Sequence, residues 1–398
     1  MNILFLTLSF PNKQKGGNLY VDLAREFMCQ GHKIYPVAPA EGDKNTRISE
    51  ENGIDVLRVK TMKLFNVNAI RKGIANLMLP LQYRRAIQKY YSDAHFDLVI
   101  MPTPPITLEP VVRKIKSQHN TAKFYLILRD IFPQNAVDLG ILTKTNPMYY
   151  FFRKQEKKLY NVVDYIGCMS QGNIDYIVKN NPEVVKQKFH ILQNFQKIES
   201  FTKNDFDYKI KEKYGLKDKF VVVFGGNMGI PQKLENVISL AKECEKYKDV
   251  IFFLIGEGTQ RKIIEDMVVK NNITNVKFND YIPHEDYQRL VSQCDIGLIS
   301  LNECFTIPNI PSRTLSYFNL SIPVLASLDA ATDYGQILEE AGAGLWSLAG
   351  DIATYKANFD ILYQNPSLRK KMGRNGRKYF EKNMSTEVAY QVIMSHVK

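Results

Sequence analysis

The sequence predicts an α/β protein built from two doubly wound domains in tandem, and three observations carry that expectation. The chain has 398 residues, too long for one ordinary core and enough for two of about 200 residues each. Short apolar runs alternate with amphipathic segments, the pattern of parallel strands joined by right-handed helical crossovers. The pattern also restarts halfway, at Phe220-Val221-Val222-Val223-Phe224, after a complete first set.

In the first half, strands are expected at Ile3–Leu8, Lys33–Ala38, Ile54–Val59, Leu98–Met101, Phe124–Leu128, Tyr165–Met169 and Phe189–Leu192. These runs are rich in β-branched, aromatic and other apolar residues. Between them Leu19–Gln30, Leu79–Tyr91 and Met148–Tyr160 carry apolar residues at helical spacing. The second half repeats the plan with strands at Phe220–Phe224, Ile251–Ile255, Val276–Phe278, Ile296–Leu301, Val324–Ala326 and Gly344–Ser347. Its helices include Lys233–Tyr247, Gln260–Asn271, Glu285–Gln293 and Thr332–Glu340. The stretch from Gln196 to Lys219 is polar and without strong apolar period, and reads as a linker with a short helix at Tyr208–Tyr214. From Pro366 the tail carries two helical patterns that part near Lys382–Ser385. The expected division is an N-terminal domain over 1–196, a linker over 197–218, a C-terminal domain over 219–380 and a last segment over 381–398. Two such domains facing each other across a cleft would gather their ligands at the carboxyl ends of the strands.

Composition excludes several classes. With 45% hydrophobic and 24% charged residues the chain is ordinary for a soluble globular protein. Its five cysteines are scattered and odd in number, which argues against a disulfide framework or a zinc site and fits a reducing cytoplasm. Ile3–Leu8 reads as a first strand and not as the apolar part of a signal peptide. No run approaches the ~18 apolar residues of a membrane span. The net charge of +12 is unevenly placed: residues 1–200 hold 28 Lys and Arg against 17 Asp and Glu, whereas residues 201–398 hold 25 against 24. The densest part, Val56 to Ser92, has eight basic residues and no acid, alternating with Met62, Leu64, Phe65, Ile74, Leu77, Met78, Leu79, Leu81 and Tyr83. A basic amphipathic stretch of this kind fits peripheral contact with a membrane surface as well as it fits a solvated helical face. No nucleic-acid-binding motif accompanies it.

The motif richest in chemistry is Gly225-Gly226-Asn227-Met228-Gly229-Ile230-Pro231-Gln232-Lys233, which follows the Phe220 strand and opens a helix. Glycines let backbone amides approach an anion, a helix N-terminus adds a favourable dipole, and Lys233 brings a point charge one turn later. Gly16-Gly17-Asn18 after the first strand is either a second phosphate turn or a plain βα connection. Gly256-Glu257-Gly258 lacks the third glycine of a dinucleotide fingerprint, Arg261 standing in its place, yet it could line a nucleoside pocket with Tyr281 and Ile282 as a wall for the base. Arg129-Asp130-Ile131-Phe132-Pro133 closes a strand with a charged pair, either as a cap or as a catalytic or acceptor-binding carboxylate at Asp130. Pro311-Ser312-Arg313-Thr314 starts a helix, with Ser312 as N-cap and Arg313 available to a diphosphate. Asp205-Phe206-Asp207 imitates a metal site but lies in the linker, and His284-Glu285-Asp286 opens a helix where acids serve as caps, so no metal is expected.

Together these motifs resemble the GT-B superfamily of sugar-nucleotide-dependent glycosyltransferases, within it the retaining group called family 4, and within that the subgroup that builds bacterial surface polysaccharides, including the N-acetyl-L-fucosamine transferases of O-antigen assembly. The likeness spans essentially the whole chain. It rests on Gly226-Asn227-Met228-Gly229 with Gln232, Gly256-Glu257-Gly258, Pro311-Ser312-Arg313 with Tyr317, and Arg129 to Pro133, and less on Gly31-His32-Lys33-Ile34, Asn194 and Gly373-Arg374-Asn375-Gly376-Arg377. The resemblance implies a C-terminal domain that holds a nucleoside diphosphate-sugar, usually a UDP-sugar, and an N-terminal domain that binds a lipid-diphosphate-linked or saccharide acceptor at the membrane. It also implies a final helix crossing back to the first domain, no metal requirement, and a leaving phosphate that itself takes the acceptor proton. Lys233 would contact the diphosphate and Gly17 would close over it. Many relatives carry an arginine where Asn227 stands, and Arg313 is the expected replacement. Many also carry a glutamate where Ser316 stands, to hold the ribose, and a second acid eight positions earlier, where this chain has Pro308; Glu303 is nearby but unaligned. The expected function is a cytoplasmic, membrane-associated glycosyltransferase of surface polysaccharide synthesis, with Lys233, Arg313 and Asp130 as catalytic residues. A sugar-nucleotide 2-epimerase and a non-catalytic GT-B subunit are the alternatives.

Overall fold

The alternating pattern builds two separate sheets. In the computed structural model, which describes residues 1–11, 18–40, 45–51, 53–64, 69–199 and 209–397, the chain divides into one unit of Met1–Lys197 with Thr386–Lys398 and a second of Ile198–Ser385.

The first unit carries eight strands: β1 (Asn2–Leu6), β2 (Lys33–Pro39), β3 (Arg47–Glu51), β4 (Ile54–Val59), β5 (Leu98–Pro102), β6 (Lys123–Leu128), β7 (Tyr165–Cys168) and β8 (Phe189–Ile191). They lie in the order β3-β4-β2-β1-β5-β6-β7-β8, all parallel except β3 against β4. β1, β5 and β6 are almost wholly buried and read as continuous apolar runs, as a parallel sheet covered on both faces requires.

Two elements depart from the apolar pattern. β3 is Arg-Ile-Ser-Glu-Glu, a charged edge strand that no apolar alternation announces, with Ile48 left 43% exposed. Its signal is instead the Asn-Gly pair at 52–53, a strong hairpin marker, with Gly53 at φ +77° and Glu51 paired opposite Ile54. The helix Ala69–Tyr90 runs through Pro80, ahead of the expected start at Leu79. An interior proline costs about 3 kcal/mol. Ala75 and Leu79 before it and Tyr83, Ala86 and Ile87 after it are all buried, and each large one contributes roughly 1.5–3 kcal/mol, so the stripe outweighs the proline.

The second unit carries β9 (Phe220–Gly225), β10 (Val250–Ile255), β11 (Val276–Asn279), β12 (Ile296–Ser300), β13 (Val324–Leu328) and β14 (Gly344–Leu348), all parallel, in the order β11-β10-β9-β12-β13-β14. This is the Rossmann order, and the winding reverses between β9 and β12. Phe224, Leu254, Val237, Ile264, Tyr355 and Phe359 are among the side chains that fill one face of the sheet.

Beyond β14 the helix Pro366–Asn383 packs on the short helix Arg313–Asn319. Gly373 and Gly376 allow the approach, since a side chain at either would meet the Ser321 carbonyl or the Phe318 ring. Arg377 then donates to the Asn319 side chain at 2.7 Å and the Glu199 carbonyl at 3.0 Å. The Gly373–Arg377 motif is thereby a packing device inside the second unit.

The return to the first unit begins at Thr386, later than the 381 read from the sequence, because residues up to Asn383 complete the preceding helix. Helix Thr386–Val397 lays Ala389, Ile393, Met394 and Val397 into the core shared by β1 and helix Leu19–Cys29. Tyr390 meets Phe27 edge-on at 5.0 Å and His32 Nε2 at 3.1 Å, and His396 stacks on His190 at 3.6 Å.

Candidate functional site

Where β9 and β12 part, their pairing is confined to Ile296 and Gly297 against Val222 and Val223, which leaves their carboxyl ends unpaired with each other. Tyr317 is buried against Gly297 at this parting. Its hydroxyl reaches the Val223 carbonyl at 3.1 Å and the Leu298 carbonyl at 3.2 Å, satisfying two acceptors that the diverging strands cannot give each other.

The two glycine turns at the rim are cross-linked. Gly226 N–H donates to the Ile255 carbonyl, Met228 N–H to the Glu257 carbonyl and Gln260 N–H to the Met228 carbonyl, all between 2.8 and 2.9 Å. Such contact needs Gly256, whose φ of +132° and whose lack of a side chain let it lie against the Gly226 carbonyl. One consequence corrects the sequence reading. The amides of Gly226 and Met228 are spent on the neighbouring turn, and that of Gly229 on the Gln232 side chain at 3.1 Å. Three of the four amides from Gly226 to Gly229 therefore hold the scaffold together instead of cradling an anion, and Asn227 stands exposed at the tip.

Arg313 lies beneath this turn. Its Nε donates to the Gly225 carbonyl at 2.6 Å and its Nη2 to the Asn227 carbonyl at 3.0 Å, while the guanidinium rests on the Phe224 ring at 4.1 Å. Expected as a partner of the diphosphate, it spends two of its five N–H groups bracing this turn, and burial lowers its pKa. Tyr287 closes the other side of Gly225, where a side chain would strike its ring, and burial pushes its phenol up to about 12. Ser316, expected at a ribose, hydrogen-bonds this phenol. Ser312 holds the N-cap position of helix Arg313–Asn319, but its side chain makes no capping bond and is exposed, and Pro311 before it is buried. Tyr287 was not singled out from the sequence; its place behind the turn depends on packing that no local pattern encodes.

Lys233 is the cation that faces outward. It sits between a 3-10 turn, Ile230–Gln232, and the helix Glu235–Glu243, with φ +40°. The sequence placed it on the helix itself. Its carbonyl, turned by that left-handed backbone, accepts from Ser300 Oγ and Asn236 N–H at 3.1 Å each. The loop after β12 is sewn to the same turn, Asn302 N–H donating to the Pro231 carbonyl at 2.9 Å and Asn302 Nδ2 to the Ile230 carbonyl at 3.0 Å. That seam sets Glu303 beside Lys233, Oε1 to Nζ 3.2 Å, with both side chains partly open to solvent. The ammonium thus already has a carboxylate partner of the kind that a phosphate would displace.

Around the second turn, Arg261 donates to the Gly256 carbonyl at 2.8 Å and pairs with Asp280 and Glu265. Asp280 fixes the start of the next turn, where Tyr281 projects 72% exposed and Ile282 is buried. Of the expected base wall, Tyr281 alone offers a face. Glu257 and Gly258 are exposed at the rim.

In the first unit, Asp130 ends the turn after β6. Thr103 Oγ1 takes the Arg129 and Asp130 amides at 2.9 and 3.3 Å, and Asn135 Nδ2 donates to the Asp130 carboxylate at 2.5 Å. Burial raises the Asp130 pKa to about 6 against the pull of Asn135, the Ile131 amide and Arg129. Arg129 is itself lowered by burial, and its Nη1 has no hydrogen-bond partner among the described residues. Gly16, Gly17 and the Asp205–Asp207 pair lie outside the described residues. Among the described residues no three His, Cys, Asp or Glu side chains gather as a metal site, and no helix is long and apolar enough to cross a membrane.

Residues 207–379 match the family described as Glycosyl transferases group 1. The chain is 24% identical over 224 residues to a probable glycosyltransferase, WbjE, of Pseudomonas aeruginosa, a match spanning 56% of this chain and 55% of that protein. The match thus takes in about half the length of that relative. Among solved structures, WaaG, a glycosyltransferase involved in lipopolysaccharide biosynthesis, superposes with a TM-score of 0.69 at 16% identity, covering 99% of both chains. HepE of Anabaena in complex with UDP-glucose does so with a TM-score of 0.72 at 16% identity, covering 99% of this chain and 98% of that one. The chain has the two-unit GT-B fold, and its residues 207–379 match the model of the glycosyl transferases group 1 family.

Proposed function

We propose that the protein is a retaining glycosyltransferase that moves a sugar from a nucleoside diphosphate donor, a UDP-sugar, to a lipid-linked or saccharide acceptor in bacterial surface polysaccharide synthesis. The observation that carries this reading is the braced turn at the β9–β12 switch point, with Lys233 as its outward cation. Two similarities support it: the HepE structure is a complex with UDP-glucose, and WaaG acts in lipopolysaccharide biosynthesis.

Transfer breaks the bond between the sugar and the diphosphate, and negative charge grows on the departing phosphate. A preorganised cation at that point is worth most in the transition state. Lys233 supplies it, exchanging Glu303 for a phosphate oxygen. Arg313 and Gly256 act at one remove by keeping the turn from yielding, and Tyr281 offers its ring to the base. In the first unit Asp130 orients the acceptor hydroxyl or steadies the developing sugar cation. In retention the leaving phosphate receives the acceptor proton, and no metal ion takes part.

Thermal-shift titration with a panel of nucleoside diphosphates tests this directly. UDP should raise the melting temperature, and sugar transfer should follow in product assays with UDP-sugars. No response to any nucleotide would favour a non-catalytic binding subunit, and conversion of the donor without transfer would favour an epimerase.

A further inference from the structure

The carboxyl edge of β6 holds polar groups to which the reading above gives no task. Elsewhere the fold answers its inward guanidinium groups: Arg58 by Glu51 and the Pro39 carbonyl at 2.8 and 3.3 Å, Arg313 by two carbonyls, and Arg377 by Asn319. Arg129 is different. Among the described residues it alone of the lysines and arginines has a buried nitrogen, Nη1, without a hydrogen-bond partner. The Tyr20 hydroxyl and the Asp130 carboxyl feel its charge, yet neither bonds that nitrogen. No hydrogen bond or ion pair among the described residues fixes the guanidinium, so its fork is free to turn to a ligand. A charged donor left unanswered in this way bears the full cost of its desolvation.

Asn135 supplies the complement. Its Nδ2 is spent on the Asp130 carboxylate at 2.5 Å, while its Oδ1 is buried and also without a partner. Arg129, Asp130 and Asn135 each keep part of their surface open, so a ligand can reach them. An unanswered cation and an unanswered acceptor therefore stand on either side of one carboxylate. The first calls for an anion and the second for a hydroxyl. We infer that Arg129 is the seat of a phosphate or diphosphate group on the ligand that the first unit takes, with Asn135 Oδ1 receiving a neighbouring hydroxyl. A guanidinium presents paired N–H groups that match two phosphate oxygens at once, which a single ammonium does not. The inference rests on the acceptor reading of Asp130, and it names the contact for the phosphate that such an acceptor carries.

Calorimetry on the full chain with inorganic pyrophosphate decides it, in saturating UDP so that the donor side is filled. The wild type should bind pyrophosphate, and Arg129→Met should bind it at least about tenfold more weakly. Arg129→Lys, which keeps the charge and loses the fork, should fall between them. Without pyrophosphate, Arg129→Met should melt about 2–4 °C above the wild type, because an unpaired buried charge is gone. Added pyrophosphate should close that gap by raising the wild type alone. UDP affinity should stay at its wild-type value in both variants, and Lys233→Ala should keep its pyrophosphate response, so this inference and the donor reading fail separately. Farnesyl diphosphate distinguishes two sources of the group: tighter binding than pyrophosphate supports a lipid-linked phosphate, and equal binding supports a free phosphate ester. No pyrophosphate binding by the wild type, wild-type binding in Arg129→Met, or an equal loss of UDP affinity would overturn the inference. Should Arg129→Met fail to fold, the wild-type titration and Arg129→Lys still decide.

Discussion

At the carboxyl edge of β9 the polar groups are spent on one another: amides of one turn on carbonyls of the next, Arg313 on two carbonyls, Lys233 on Glu303. At the carboxyl edge of β6 they are left partly unanswered, with the Asp130 carboxyl raised to about 6 by burial and Arg129 Nη1 without a partner among the described residues. The first edge is rigid and presents one exchangeable ion pair. The second is poised, with a carboxyl group whose protonation changes near pH 6. A rigid edge suits a diphosphate of fixed geometry, and a poised one suits a hydroxyl that must be oriented as charge develops.

The contrast breaks most readily at the glycine seam. Gly256→Ala drives a methyl group into the Gly226 carbonyl at a backbone angle that alanine avoids, and should destabilise the second unit by about 3 kcal/mol. Thermal unfolding with and without UDP should show both a lower midpoint and a lost response. Next comes Lys233→Ala, which should cut turnover by roughly 100- to 1,000-fold with the fold intact, as removal of a charge-stabilising group at a transition state does. Wild-type turnover in that variant would remove Lys233 from the chemistry.

Asp130→Asn tests the other edge. It should lower turnover by about 100-fold while leaving UDP affinity unchanged. The wild-type rate should rise with pH through about 6 as the carboxylate forms, and the variant's should stay flat there. Stability should move the opposite way. The folded-state pKa of Asp130 is raised, so the stability it contributes is full below its ordinary value of 3.8 and is lost as pH rises through about 6. At neutral pH the asparagine variant should therefore melt higher than the wild type while working more slowly. The smallest effect belongs to Glu303→Gln: freeing Lys233 from a partly exposed pair should tighten UDP binding by up to about fivefold, measured by calorimetry.

Much of this was legible in the sequence because it depends on local chemistry. Strand periodicity announced both sheets, and the Gly225–Lys233 and Gly256–Gly258 motifs announced the two turns. The sequence could not show that those turns bond to each other, because the donors and carbonyls involved lie about thirty residues apart. It marked Arg313 as a cation, but a guanidinium committed to backbone carbonyls reads the same in one dimension as a free one. Glu303 lay outside the family spacing and acquired its place from the Asn302 seam. β3 was hidden by its charges, and Pro80 concealed a helix that buried residues on both sides sustain.

Calorimetric titration of UDP and UMP against the wild type and Lys233→Ala tests the rigid-edge assignment most directly. The expected result is that the wild type prefers UDP to UMP, and that Lys233→Ala loses this preference while still binding UMP. An undiminished preference for the diphosphate in the variant, or a wild type that does not distinguish the two nucleotides, would contradict it.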